Sequence, residues 1–213
     1  MRFTVILMAL VLSACSNKGP PPPDWQVAAH GALERYEKAF LTGNTRAADQ
    51  EFAIVRGQLA ATGQATLVAR AELTRCALQV ASLAFEDCAG FEPLRVDAAA
   101  PERAYAEYLL ARPSPVDQLP PQHRAAAGGK ADAASLRSIA DPLARLVAAG
   151  VVVRSNRADP QVMQVGADTA SAQGWRRPLL AWLGAQLRLA EQRGASEEAQ
   201  ALRRRIELAG GQR

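Results

Sequence analysis

The N-terminal segment places the strongest constraint on the fold of this chain, because it determines where the folded domain can begin. Residues 3–12 (FTVILMALVL) form an apolar run that only Thr4 interrupts, and Arg2 precedes it. A helix needs about 20 apolar residues to cross the hydrocarbon core of a membrane, so this shorter run is typical of an export signal. The prolines at 20–23 prevent a helix from continuing past it. We therefore expect the folded domain to begin after these prolines.

The residues that end the apolar run, Leu12-Ser13-Ala14-Cys15, resemble the lipobox of bacterial lipoproteins: a branched apolar residue, two small residues and a cysteine. The resemblance implies that residues 1–14 are a signal peptide, removed after Ala14, and that the Cys15 thiol receives a diacylglycerol. Two or three acyl chains, such as palmitate, anchor a protein stably to a membrane. Ser16 stands where an Asp tends to retain Gram-negative lipoproteins in the inner membrane, so the resemblance favours the outer membrane, facing the periplasm. An ordinary signal peptide followed by a chance cysteine is the alternative.

Composition predicts an all-α domain built from antiparallel helix hairpins. Aromatic residues make up 5% of the chain, whereas strands favour aromatic and β-branched residues, and apolar residues recur at helical spacing between Gly and Pro breaks. We expect a lipidated, proline-rich linker at 15–24, an N-terminal helical block at 25–112, an irregular Pro/Gly-rich connection at 113–130, and a C-terminal helical block at 131–211. The pattern leaves open whether the two blocks form one domain or two.

Local signals predict where several helices begin and end. Asp24 is expected to cap the first helix and Ser196 the last. Asp141-Pro142 and Asp159-Pro160 each predict an N-cap followed by proline at the first helical position. Gly150 is expected to close the helix that begins after Asp141, with the three valines that follow forming either a terminal contact or a short strand.

Cys76 and Cys88 remain once Cys15 is assigned to lipid, and an even pair in an oxidising compartment predicts a disulfide. Two free buried thiols are the alternative. On one continuous helix the two Cα atoms would lie about 18 Å apart, whereas bridged Cα atoms lie within about 7 Å. The bridge therefore requires the helix through Cys76 to end near Ala84 and the chain to fold back.

Two predicted inter-helix turns share a pattern in which Gly, any residue, and Ser or Thr are followed three residues later by Ala. They span 43–48 (GNTRAA) and 194–199 (GASEEA). The pattern resembles the turn of tetratricopeptide repeats, where a small residue lets two helices approach. However, no period of about 34 residues links the two turns, so either a repeat-like array or an irregular bundle of generic helix hairpins accounts for them.

The ionisable residues do not predict catalysis. His30 and His123 are the two histidines, and the chain contains no zinc-protease, nucleophile-elbow, phosphate-loop or Cys-x-x-Cys motif. We therefore predict no catalytic residue, no metal site and no cofactor, and we do not expect an enzyme. The formal net charge of +4 is too small to indicate nucleic-acid binding.

Five arginines are candidates for contact with an anionic surface, although arginines more often form solvated helix surfaces: Arg176, Arg177, Arg203, Arg204 and Arg205. The leading hypothesis is a non-catalytic helical adaptor, held on a membrane by lipid on Cys15, that contacts a protein partner in the cell envelope. The alternative is a lipoprotein that binds a small molecule, or a cell-wall glycan or lipid, in a pocket between the two blocks.

Replacement of Cys15 tests the lipid anchor. Because Cys15→Ala has no thiol to acylate, we expect the variant to lose incorporated fatty acid and to move from the membrane to the soluble fraction. Labelling with palmitate and membrane fractionation measure the two effects. The Cys76→Ser variant, which keeps the anchor, is the control. A membrane-bound Cys15→Ala variant, together with an unlabelled parent, would contradict the prediction.

Overall fold

The computed structural model describes residues 21–129 and 131–211, and most of these residues are helical. Within these ranges there are ten α-helices and no strand, so the predicted all-α class is confirmed. The signal peptide, the lipobox and Cys15 lie outside the described residues. The helices are α1 (Asp24–Thr42), α2 (Thr45–Ala60), α3 (Ala65–Ala81), α4 (Ala100–Leu109), α5 (Pro121–Ala127), α6 (Ala133–Arg137), α7 (Pro142–Arg154), α8 (Pro160–Ala172), α9 (Arg176–Gln192) and α10 (Ser196–Gly210).

Three pairs of consecutive helices pack as hairpins: α1 with α2, α8 with α9, and α9 with α10. Each pair is joined by a short turn whose glycine is left-handed, with φ of 85° at Gly43, 65° at Gly174 and 70° at Gly194. Glycine adopts this conformation without a Cβ penalty, and it reverses the chain directly after a helix. The two turns with the shared sequence pattern thus lie in helix hairpins, and the turn at Gly174 achieves the same reversal without that pattern.

The larger hydrophobic cluster contains residues of both predicted blocks. Val80 of α3, Leu146 of α7 and Trp182 of α9 are fully buried in it. The indole Nε1 of Trp182 donates a hydrogen bond of 3.0 Å to the carbonyl of Ala81, at the end of α3. A smaller cluster around Tyr36 packs α1 and α2 against α3. Helix α3 therefore lies between the first hairpin and the C-terminal helices.

Helix α7 does not end at Gly150 as expected, but continues to Arg154. Gly150 lies against the backbone of α3, where an added Cβ would overlap the carbonyl of Val80. This glycine serves the close approach of two helices and not a reversal of the chain. The valines that follow it therefore stay helical, and Val151 and Val152 are buried in the core.

Two of the predicted N-caps are confirmed and two are wrong. The carboxylates of Asp141 and Asp159 accept backbone N–H groups in the first turns of α7 and α8. Asp24 and Ser196 are instead the first helical residues of α1 and α10, and neither helix has a side-chain cap. Asp24 still lies in the first turn, where the helix dipole favours a negative charge. In α10, the Ala195 carbonyl accepts the first helical hydrogen bond, from the N–H of Ala199. The chain has already reversed its direction at the left-handed Gly194.

The predicted fold-back after α3 is confirmed. The Cα atoms of Cys76 and Cys88 lie 5.2 Å apart, with the two sulfur atoms at bonding distance. Helix α3 ends at Ala81, three residues before the expected end at Ala84. Leu83 then adopts a left-handed conformation with a φ of 55°, which starts the return of the chain.

The connection predicted to be irregular is partly helical. It contains a 3-10 turn at Val116–Gln118 and helix α5, and a second 3-10 turn lies at Glu92–Leu94 between α3 and α4. Pro121 begins α5 and does not interrupt it, because proline fits the first helical position. Leu119 and His123 are 1% and 2% exposed, so burial of these two side chains orders the connection against the core.

The close approach at Gly150 predicts opposite effects of alanine at two helical glycines. Gly150→Ala should lower the free energy of unfolding by about 1–3 kcal/mol, because its methyl group overlaps the backbone of α3. Gly57→Ala in α2 meets nothing within 4 Å, and should raise the free energy of unfolding by about 0.5–1 kcal/mol through helix propensity. Urea unfolding of both variants measures the two changes. Equal effects of the same sign at the two positions would show that the helices do not touch there.

Candidate functional site

A groove of about 370 Å³ crosses α8, α9 and α10. Its apolar surface comes from Met163, Leu189 and Leu202, one residue from each helix. The antiparallel hairpins bring these residues together, because α8 packs against α9 and α9 packs against α10. Pairs of stacked helices of this kind form concave surfaces that suit protein recognition.

Two carboxamides lie beside the apolar surface of the groove. Gln186 of α9 is 8% exposed and donates from its Nε2 to Oε1 of Gln164 in α8, at 3.2 Å. Gln164 in turn donates to the carboxylate of Asp168 at 2.6 Å. A carboxamide carries both a donor and an acceptor, the same pair of groups that a peptide bond presents. The groove therefore offers polar groups that match a polypeptide backbone.

The rim of the groove carries more positive than negative charge. Arg193 forms an ion pair with Glu198 at 3.0 Å, and about half of each side chain is exposed. Arg205 also lines the groove, and no carboxylate in the described ranges pairs with its guanidinium. The rim therefore favours a partner with an acidic group near Arg205.

A separate cavity of about 210 Å³ lies where the end of α4 faces α5 and the end of α7. Tyr108 and Arg112 come from the N-terminal block, and Val151 and Arg157 from the C-terminal block. Between them the wall is completed by residues of the proline-rich connection, among them Ala126. This is the kind of place, between the two blocks, that the small-molecule hypothesis requires.

Three aromatic rings pack together beside this cavity, in two stacked pairs and one tilted pair. The ring of His123 in α5 lies 5.5 Å from the ring of Tyr105 and 5.1 Å from that of Tyr108. The Tyr105 hydroxyl is 3.5 Å from Nε2 of His123. Burial lowers the pKa of His123 to about 4, a shift that Asp141 partly opposes. Within the described part of the chain, the Tyr108 hydroxyl and Nδ1 of His123 are buried without a hydrogen-bond partner.

Sequence reasoning missed this aromatic cluster. The spacing of Tyr105 and Tyr108 predicts that both lie on one helix face, which the structure confirms through their stacked rings, 6.1 Å apart. His123 was expected in an irregular connection, but it lies in α5 and is buried. Pro121, as a helix start two residues before His123, was the available signal for this helix.

The five candidate arginines have different surroundings. The Nε of Arg177 donates to the Phe40 carbonyl at 2.6 Å, and its guanidinium lies 4.3 Å from the centre of the Phe40 ring. Arg203 is paired with Glu191 at 2.5 Å. Arg177 therefore joins α9 to the first hairpin, and the charge of Arg203 is matched locally. The remaining three are exposed to solvent: Arg176, Arg204 and Arg205.

Two buried carboxylates were also not expected from the sequence. Glu72 is 3% exposed and pairs with Arg56 at 3.2 Å, and Glu102 is 6% exposed and pairs with Arg70 at 2.6 Å. Each carboxylate thus has a partly exposed guanidinium as its counter-charge. Across residues 21–129 and 131–211, no three His, Cys, Asp or Glu side chains gather closely enough to hold a metal ion.

Comparisons with known proteins found no match: no family model, no curated protein and no solved structure is significantly similar to the chain. Function is therefore inferred from the geometry and chemistry of the groove and the cavity. Among the helices that the structure describes, none combines the length and apolarity needed to cross a membrane.

The buried imidazole of His123 predicts a loss of stability in acid. Its pKa is about 4 in the folded protein, against an ordinary value of 6.5, so the unfolded chain binds a proton more readily. The free energy of unfolding should fall by roughly 3 kcal/mol from this group as the pH drops from 6.5 to 4. Urea unfolding at several pH values, compared between the parent and His123→Gln, isolates the contribution. His30→Gln, at an exposed position, is the control for the loss of a histidine, and an unchanged slope in His123→Gln would refute the assignment.

Proposed function

We propose that this protein is a non-catalytic adaptor, tethered to a membrane by lipid on Cys15, that holds a segment of a partner polypeptide in its groove. The observation that carries the proposal is the groove across α8, α9 and α10. Its volume of about 370 Å³ lies within the roughly 300–1,000 Å³ typical of binding pockets. The lipobox resemblance supports the tether, and the groove supports the adaptor role.

The groove's side chains suit a peptide better than a rigid small molecule. Met163 has an unbranched, polarisable side chain that adapts to differently shaped apolar groups. Gln186 and Gln164 are held in place by their own hydrogen bonds and by Asp168. An apolar partner side chain is expected to contact Met163 and Leu189 while the partner's backbone bonds with the two carboxamides.

The charges of the rim add a preference for acidic partners. The pair of Arg193 and Glu198 is exposed, so its contribution to stability is small and it is free to rearrange when a partner binds. Arg205 then provides a guanidinium fork for a carboxylate. A periplasmic or envelope partner with an acidic residue next to an apolar one fits this surface.

A second candidate function is the binding of a small molecule. The cavity at the end of α4 favours it, because residues from both blocks form its walls. The two functions use different surfaces, so substitutions in one are expected to leave the other unchanged.

Filling the groove tests the adaptor proposal. Ala201 of α10 lines the groove and is partly buried, whereas its neighbour Gln200 is exposed. In cells that express the full chain, a photo-crosslinking residue at Ala201 should capture a defined partner segment. A synthetic peptide with that segment's sequence should bind the purified protein, and Ala201→Trp should weaken this binding at least about tenfold by occupying the groove.

Gln200→Trp is the matched control, since it places the same side chain one residue away on the solvent side of α10. We expect it to change peptide binding less than about twofold. Thermal unfolding of both variants checks that the helix stays folded. Equal binding by the two variants, or capture at Gln200 as strong as at Ala201, would show that the groove is not the binding surface.

A further inference from the structure

The cavity beside Tyr108 is smaller than the groove and is built differently. Its volume is about 210 Å³, below the roughly 300–1,000 Å³ that hold drug-sized ligands. It therefore suits a molecule of only a few heavy atoms. Its apolar walls come from small side chains, among them Ala126, Ala148, Val151 and Val152.

Two guanidinium groups line this cavity with little compensating negative charge. Arg112 lies 3.8 Å from Glu107, a long contact, and another arginine, Arg95, already bonds to that carboxylate at 2.8 Å. Arg157 donates from its Nε to the Ser155 hydroxyl at 2.9 Å, and no carboxylate among the described residues pairs with it. A guanidinium fork that is poorly neutralised attracts a planar oxyanion, which it can bind through two parallel hydrogen bonds.

Tyr108 lines the same cavity, and its buried hydroxyl makes no hydrogen bond to any described residue. Tyr108 is 3% exposed, and in the described ranges its hydroxyl has no partner. A buried hydroxyl without a partner costs stability, and a hydrogen bond to a bound ligand would offset that cost. Burial raises the pKa of Tyr108 and the nearby Arg157 guanidinium opposes that rise. The hydroxyl therefore stays protonated at neutral pH, and a ligand oxygen that reaches it would accept its hydrogen bond.

We propose that this cavity binds a small organic carboxylate, whose oxygens meet Arg112, Arg157 and the Tyr108 hydroxyl and whose short apolar part contacts Val151 and Val152. The apolar part of the wall, at Val151 and Val152, favours this ligand over inorganic phosphate, which has no apolar group to bury there. Helices α4 and α7 hold the two sides of the cavity, so the site is complete only when the two blocks pack together. The proposal is independent of the groove.

Butyrate is a suitable probe, because it joins a carboxylate to a three-carbon apolar chain. Saturation-transfer NMR on the full lipidated chain in detergent, at constant ionic strength, should show millimolar or tighter binding of butyrate. Inorganic phosphate should compete at least about tenfold more weakly. The proposal would be overturned if phosphate competes as strongly as unlabelled butyrate. It would also be overturned if butyrate does not bind in the millimolar range.

Substitutions locate the binding site. The double variant Arg112→Gln/Arg157→Gln should weaken butyrate binding at least about tenfold. The control Arg46→Gln/Arg188→Gln removes the same charge from exposed positions on α2 and α9 and should change binding less than about twofold. Equal losses in the two double variants would mean that butyrate responds only to net charge, which would overturn the site.

Tyr108→Phe separates a ligand-binding hydroxyl from a structural one. Because the described structure gives the hydroxyl no partner, its removal should leave the melting temperature unchanged or raise it. The same variant should weaken butyrate binding about three- to tenfold through the lost hydrogen bond. A lower melting temperature with unchanged butyrate binding would assign the hydroxyl to the fold and contradict its role in the site.

Discussion

The contact between α3 and α7 at Gly150 is the interaction on which the rest of the fold depends. Helix α3 packs against the first hairpin on one side and against α4 and α7 on others, so it is buried over most of its length. Gly150 lets the backbone of α7 reach the carbonyl of Val80, and Trp182 bonds to the neighbouring carbonyl of Ala81. Helices α7 and α9 thus both meet the C-terminal end of α3. This arrangement sets where α4 and α7 face each other, and hence where the cavity forms.

Local signals in the sequence predicted much of the helical framework. Gly43 and Gly194 lie in the turns of helix hairpins, and Asp141 and Asp159 cap helices. The separation of Cys76 and Cys88 along the chain required α3 to end before Cys88. Each of these predictions depends on interactions between residues close in sequence, or on the length of one disulfide. The predictions therefore did not require knowledge of which helices pack together.

Several misread positions depend on tertiary contacts, whereas the wrong N-caps at Asp24 and Ser196 are local shifts of one residue. In the sequence, Gly150 cannot be distinguished from a glycine that ends a helix. Its role becomes clear only from the backbone of α3, which lies against it. The cavity and the groove each combine residues from separate helices, as with Tyr108 of α4 and Val151 of α7 in the cavity. The arginine pairs show the same limit, because nothing in the Arg176-Arg177 dipeptide reveals that Arg177 packs on Phe40 while its neighbour is exposed. The spacing of residues along the chain does not predict which side chains of different helices come into contact.

The two walls of the groove differ in how firmly they are held. Helices α8 and α9 belong to the central core, whereas α10 packs chiefly against α9 and presents much of its remaining surface to water. A helix with few packing neighbours opens at a lower free-energy cost than a central one. We therefore expect a bulky partner segment to displace α10 more readily than α8 or α9, and such a displacement would leave the contact between α3 and α7 in place.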